Sequence, residues 1–123
     1  MEKPHKKLDA WKLAMDLAVQ IYRTTESFPI SERYALTAQI HRAAMSVPSN
    51  IAEGAARQTR KEFINFLHTA QGSLSELDTL IEFSTRLGFL GQQVLASLDA
   101  QMQRVDMTIS GLIRHQRSKG THK

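Results

Sequence analysis

The chain has 123 residues, 41% of them hydrophobic and 23% charged, which suits one globular domain with its own core. It has no cysteine, which excludes disulfides, thiolate metal sites and cysteine nucleophiles. The net charge of +4 is uneven: residues 1–12 carry +2, residues 114–123 carry +4, and the body between them carries −2. Basic ends of this kind are either solvated tails or contacts to nucleic acid and anionic surfaces.

The opening Met1-Glu2-Lys3-Pro4-His5-Lys6-Lys7 is polar, and no apolar stretch of signal-peptide type follows it. No window approaches the roughly 20 apolar residues of a membrane span. The expectation is a cytoplasmic protein without a membrane partner.

Four segments have helical periodicity and none alternates as a strand does. The first spans about 9–27, with Trp11, Ala14, Ala18, Ile21 and Thr25 at steps of three and four, widened by Met15, Leu17 and Tyr22. Asp9 is placed to cap it, and Phe28-Pro29 to end it. The second spans about 31–54, capped by Ser31, with the stripe Leu36, Ile40, Ala44, Val47 and Ile51, an internal Pro48, and Gly54 as its stop. The third spans about 59–87. It opens on the capping box Thr59-x-x-Glu62 and continues as a heptad seam of Phe63, Leu67, Ala70, Leu74, Leu77, Ile81 and Ser84, with Gly88 as its stop. The fourth spans about 91–115, with Val94 or Leu95, Leu98, Met102, Val105, Ile109 and Leu112. Residues 116–123 read as a basic, flexible tail. Short connections give the expected fold: a single all-α domain over residues 1–123, an antiparallel up-down-up-down four-helix bundle.

No catalytic or metal motif is present. His5, His41, His68, His115 and His122 lie in neither HExxH nor Glu-x-x-His spacing and read as surface residues. Glycine-rich phosphate loops and the GxSxG elbow are absent, and Glu76, Asp78 and Glu82 read as a solvated or interface face. The expectation is no enzyme, no cofactor, no metal and no small-molecule substrate.

The second segment has an unusual far side. With Leu36 as the zero of a helical wheel, Tyr34, Ala38, Met45 and Ala52 fall near about 160–200°, where a monomeric bundle is normally polar. Beside the core stripe lies a polar line of Gln39, Arg42, Ser46, Asn50 and Glu53. The third segment has small residues outward, including Gly72 in mid-helix. An apolar outer face needs a cover, so Tyr34, Ala38, Arg42, Met45, Asn50, Ala52, Glu53 and Gly72 are candidate residues of an oligomer interface.

One run of residues has a family likeness. Trp11, Ile21-Tyr22, Phe28-Pro29, Glu32, Leu36, Gln39, Arg42-Ala43-Ala44 and Ser46-Val47-Pro48-Ser49-Asn50-Ile51-Ala52-Glu53-Gly54 resemble the bacterial 23S ribosomal RNA intervening-sequence proteins. So do Phe66-Leu67, Ala70 and Gly72-Ser73-Leu74-Ser75-Glu76-Leu77. The likeness covers about residues 8–88; His41 departs from it, standing where the family often has a second arginine. The resemblance implies an antiparallel bundle assembled as a ring-like homopentamer. It also implies a fold similar to the accessory protein of diversity-generating retroelements, a basic pentameric barrel that engages nucleic acid and a reverse transcriptase.

Phosphate attraction scales with the number of cationic contacts, so repeated copies multiply a modest charge. Candidate nucleic-acid contacts are Arg57, Arg60 and Lys61 near the second connection, with Arg114, Arg117 and Lys119 near the end of the chain. The expected function is binding of RNA or DNA without strong sequence preference, since no RNA-reading motif is present. The alternative is a protein-interaction scaffold whose basic ends only aid solubility.

Overall fold

Four α-helices account for most of the chain in the computed structural model, which describes residues 3–121; no strand occurs among the described residues. They are α1 (Asp9–Thr24), α2 (Leu36–Ala55), α3 (Arg60–Arg86) and α4 (Gln92–Thr121), with short 3-10 turns at Pro4–Lys7, Thr25–Ser27 and Ile30–Glu32. Each helix buries one stripe. Ala14, Leu17 and Ile21 of α1 meet Ile40, Val47 and Ile51 of α2, Leu67, Leu77 and Ile81 of α3, and Leu98, Val105 and Ile109 of α4 in a single core. The expected seam of α3 is buried from Leu67 to Ser84, with Phe63 half-buried at its head.

The helices meet in a regular order. Tyr22 of α1 lies on His41 of α2. Ser46 and Gly54 of α2 meet Ser73 and Phe63/Phe66 of α3, respectively. Gln71 of α3 donates to Asp106 and Ser110 of α4, and His68 meets Arg117. Phe28, after α1, packs on Phe89, after α3.

Several boundaries differ from the sequence expectation, each for a local reason. α1 begins after Leu8, and Asp9 occupies its first turn and does not cap it with its side chain. α2 begins at Leu36 and not near Ser31. Residues 30–32 form a separate 3-10 turn closed by Glu32 N–H to Pro29 O at 3.0 Å, and Ala35 (φ −118°, ψ −101°) breaks the path between turn and helix. That break lets Leu36 enter the core while Tyr34 points away, 88% exposed. In α4, Ile113 is buried and Leu112 only half-buried, so the seam shifts by one position at its end. Residues expected as a flexible tail are helical through Thr121. Gln116 is half-buried, Arg117 reaches α3, and no proline interrupts the run. His122 and Lys123 lie outside the described residues.

Two glycines carry the fold at specific points. Gly88 has φ +84° and closes α3: Gly88 N–H bonds Thr85 O and Phe89 N–H bonds Ser84 O, both at 3.0 Å, the paired bonds of a Schellman cap. Gly54 is not the stop of α2, which runs one residue further to Ala55. It is buried where α2 crosses α3, and a Cβ there would stand 2.7 Å from Phe66 Cβ and 3.2 Å from the Phe63 carbonyl oxygen. The Thr59 cap forms as expected toward Glu62 N–H at 3.1 Å. The Glu62 side chain, however, accepts from the Thr59 hydroxyl at 2.9 Å and does not reach a backbone N–H.

Gly88→Ala is expected to cost about 1 kcal/mol through its left-handed backbone. Gly54→Ala is expected to cost more, about 1–3 kcal/mol, because backbone and a Cβ must move apart. Urea denaturation followed by helical circular dichroism reads both; a Gly54→Ala protein as stable as the parent contradicts the close crossing.

Candidate nucleic-acid interface

The cations expected to touch phosphate are not scattered. α2 ends at Ala55, and Arg57 follows with its backbone N–H bonded to Gly54 O at 3.1 Å. This hold places the Arg57 guanidinium carbon 4.7 Å from the centre of the Phe66 ring. Arg60 and Lys61 are the first two residues of α3 and both are exposed. From the far end of the chain, Arg117 brings Nη2 to 3.3 Å from His68 Nε2, two turns into α3. Groups separated by about sixty residues thus reach the opening turns of one helix, on different sides of it, since Phe66 and His68 are two residues apart and face about 200° from each other. Arg114 lies exposed one turn before Arg117, and Lys119, two residues after it, is exposed on another side of α4. Among the described residues no carboxylate lies within ion-pair distance of Arg57, Arg60, Lys61, Arg114 or Arg117; Arg86 pairs instead with Glu82 near the end of α3, at 3.7 Å.

The local electrostatics are unfavourable without a ligand. Cations in the first turn of a helix face the positive end of its dipole, a cost of about 0.3–1 kcal/mol each when exposed. Glu62, in that same turn, offsets only part of it. An anion placed there relieves the strain, and backbone N–H groups at a helix N-terminus add to the attraction. The opposite sign is gathered elsewhere. A groove of about 500 Å³ between α3 and α4 is lined by Asp78, Asp99 and Asp106. Burial, then the neighbouring Asp99 and Glu82 and a hydrogen bond shared with Asp99, raise the Asp78 carboxyl above its ordinary value.

The candidate interface residues divide. Met45 is 46% exposed and Ala38 and Ala52 are half-buried on the outward side of α2, joined there by exposed Met15, Val19 and Tyr22 of α1. Tyr34 precedes the helix break at Ala35 and so does not share that helical face. Arg42 and Glu53 are exposed. Asn50 is turned to its own chain: its amide donates to Ser46 O at 2.8 Å and Ser46 Oγ at 2.9 Å, and Ser46 Oγ meets Ser73 Oγ at 2.8 Å. Gly72 is exposed, with nothing within 4 Å of where its Cβ would stand, so no contact in this chain requires glycine there.

His41, expected on the surface, is half-buried between α1 and α2. Its ring stacks on Tyr22 with centroids 3.7 Å apart and planes 14° apart. Thr25 gives its only hydroxyl proton to Tyr22 O at 3.1 Å, so His41 Nε2, 2.7 Å from Thr25 Oγ1, donates to that oxygen. Sequence spacing gave no sign of this cluster, because its three members come from two helices. Among the described residues no group of three or more His, Asp or Glu side chains is arranged to hold a metal ion, and no helix is long and apolar enough to cross a membrane.

The site is thus a cationic rim on the opening turns of one helix in an all-helical protein of four helices. Residues 6–111 match the family model of the 23S rRNA-intervening sequence proteins, and the chain belongs to that family. Among solved structures it is similar to a protein of unknown function from the S23 ribosomal protein family of Bacteroides thetaiotaomicron. The TM-score is 0.79 at 21% identity, over 85% of this chain and 95% of that one, a likeness of fold. No curated protein matches the chain.

Burial holds the His41 ring below its ordinary value of 6.5. The unfolded chain therefore takes up this proton first as pH falls. The stability His41 contributes is complete above about 6.5 and is lost as pH drops below it. Urea midpoints measured from pH 8 to pH 5 are expected to fall more steeply for the parent than for His41→Gln, whose amide can still donate to Thr25. Parallel curves for the two proteins contradict this placement of the ring.

Proposed function

We propose that this protein is a non-enzymatic, cytoplasmic, antiparallel up-down-up-down bundle that assembles with copies of itself and binds RNA or DNA without strong sequence preference. The observation that carries the binding is the placement of Arg57, Arg60, Lys61 and Arg117 around the opening turns of α3, without carboxylates in ion-pair range. Cations set at the positive end of a helix are destabilising until an anion arrives, and a polyanion satisfies several at once. The acidic α3–α4 groove repels the same ligand and so confines it to the basic end. Arg114 and Lys119 extend the cationic surface along α4. The family name, 23S rRNA-intervening sequence protein, suits a nucleic-acid setting.

Self-association rests on the outward apolar face of Met15, Val19, Tyr22, Ala38, Met45 and Ala52, which no part of the single chain covers fully. Ring closure, five copies in the arrangement the resemblance implies, multiplies the cationic rim and its salt dependence together.

Two measurements test the reading. Fluorescence anisotropy with a labelled 20-nucleotide RNA is expected to show affinity falling steeply between 50 and 200 mM salt, with a slope of about −0.7 per phosphate contact. Arg60→Glu with Lys61→Glu is expected to weaken binding more than about tenfold and flatten that slope. No binding at low salt, or binding indifferent to salt, overturns the function. For assembly, Gly72→Ala isolates the outer face of α3. Within the chain it should raise stability by about 1 kcal/mol, as alanine replaces glycine in a helix. If a second copy approaches there, light scattering should instead show a smaller species. A parent protein that is monomeric at micromolar concentration overturns the oligomer.

A further inference from the structure

The contact between Arg57 and Phe66 does more than add a charge to the rim. The Arg57 guanidinium carbon stands 4.7 Å over the Phe66 ring centre, and a guanidinium so placed is partly stripped of water on its inner side. Its outer side remains exposed, since Arg57 is exposed as a whole while Phe66 is half-buried beneath it. The layer is built from below. Gly54 brings α2 so close to α3 that a Cβ would meet Phe66 Cβ at 2.7 Å, and the Arg57 N–H is tied to Gly54 O. Both the ring and the group above it are therefore fixed by the crossing of the two helices. No carboxylate claims the guanidinium. A surface arginine whose role is only charge needs none of this.

Resting on the function proposed above, we propose that the Arg57–Phe66 layer is a stacking platform for an unpaired base, and that the ligand is single-stranded nucleic acid. A base has a flat π face that a guanidinium plane accepts regardless of base identity. Arg60 and Lys61, exposed in the first turn of α3, are the neighbouring cations that take the flanking phosphates, whereas Arg117, on His68, stands on another side of the helix. A duplex keeps its base faces inside the stack and offers the rim only phosphates, so it forgoes the platform. Stacking on arginine is indifferent to sequence, which agrees with the absence of any base-reading motif.

The test separates plane from charge. Arg57→Lys keeps the cation and loses the plane; Phe66→Leu keeps the apolar volume and loses the ring beneath. Anisotropy is measured over a salt series for a labelled 20-nucleotide oligo-U and for a duplex of the same length, with folding of each variant checked by circular dichroism and thermal melting. The parent is expected to prefer the single strand. Arg57→Lys is expected to lose about tenfold in single-strand affinity, with an unchanged salt slope and little change for the duplex. Phe66→Leu should follow the same pattern. Equal losses on both ligands, no loss on either, or a parent that prefers duplex overturns the platform while leaving the nucleic-acid function standing. A parent that binds neither ligand at low salt removes both. Should Arg57→Lys melt early, Phe66→Leu and the strand preference of the parent still decide the matter.

Discussion

The crossing of α2 over α3 at Gly54 is the contact on which the remaining structure depends. The two helices pack more extensively on each other than any other pair, and they do so because one residue has no side chain. A Cβ at position 54 would begin inside the van der Waals surface of Phe66 and against the Phe63 carbonyl. About two turns further along α2, the same approach brings Ser46 Oγ to 2.8 Å from Ser73 Oγ. Three residues beyond Gly54, it delivers Arg57 onto the ring of Phe66. The Ser46–Ser73 and Arg57–Phe66 contacts therefore share one close approach.

Polar groups within the helix contacts then fix how the surfaces can slide. Ser46, Ser73 and Asn50 satisfy one another between α2 and α3, and Tyr22, Thr25 and His41 do the same between α1 and α2. Each bond adds only about 1 kcal/mol net, but a register shift of one turn would bury several unpaired groups at about 1–3 kcal/mol apiece. The hydrophobic stripes bring the helices together, and these bonds select one alignment. Once aligned, the outward strip of α2 is left apolar at Ala38, Met45 and Ala52 while Arg42 and Glu53 remain exposed beside it.

Much of the fold was legible because helical periodicity is strong and local. The seam Leu67, Ala70, Leu74, Leu77, Ile81 and Ser84 is buried as its spacing demands, and Thr59 caps α3 through Glu62 N–H as its motif demands. What was not legible depended on contacts between segments. The break at Ala35 and the 3-10 turn before it leave no composition signal, so Tyr34 was placed on a helical face it does not join. Gly54 looks like a helix stop in sequence, and only the nearness of Phe66 shows that it is a packing residue. The final turns of α4 look like a charged tail, yet Gln116 is half-buried, Arg117 reaches His68 of α3, and the run stays helical. The individual cations were legible as candidates. Their convergence around the opening turns of α3 was not, since it needs Arg117 to reach His68 from the far end of the chain.

That convergence also explains why a net charge of +4 understates this surface. The acidic residues that dilute the sum lie largely elsewhere, with Asp78, Asp99 and Asp106 lining the α3–α4 groove, where burial and then the neighbouring Asp99 and Glu82 raise the Asp78 carboxyl. Segregation of this kind lowers the stability of the isolated chain at both places: like carboxylates repel in the groove, and cations sit at the positive end of α3. A sequence selected for stability alone would mix the two sets, for example by adding further acids to Glu62 in the first turn of α3 and bases beside Asp78. On the reading proposed here the separation persists because each ligand phosphate offsets the strain at the rim, while the groove keeps the strand from wandering along the bundle. The same logic assigns different work to the two faces of the crossing. The outer strip of α1 and α2 is apolar and suits a second copy, whereas the rim is charged and suits a polyanion, so neither surface competes with the other for its partner.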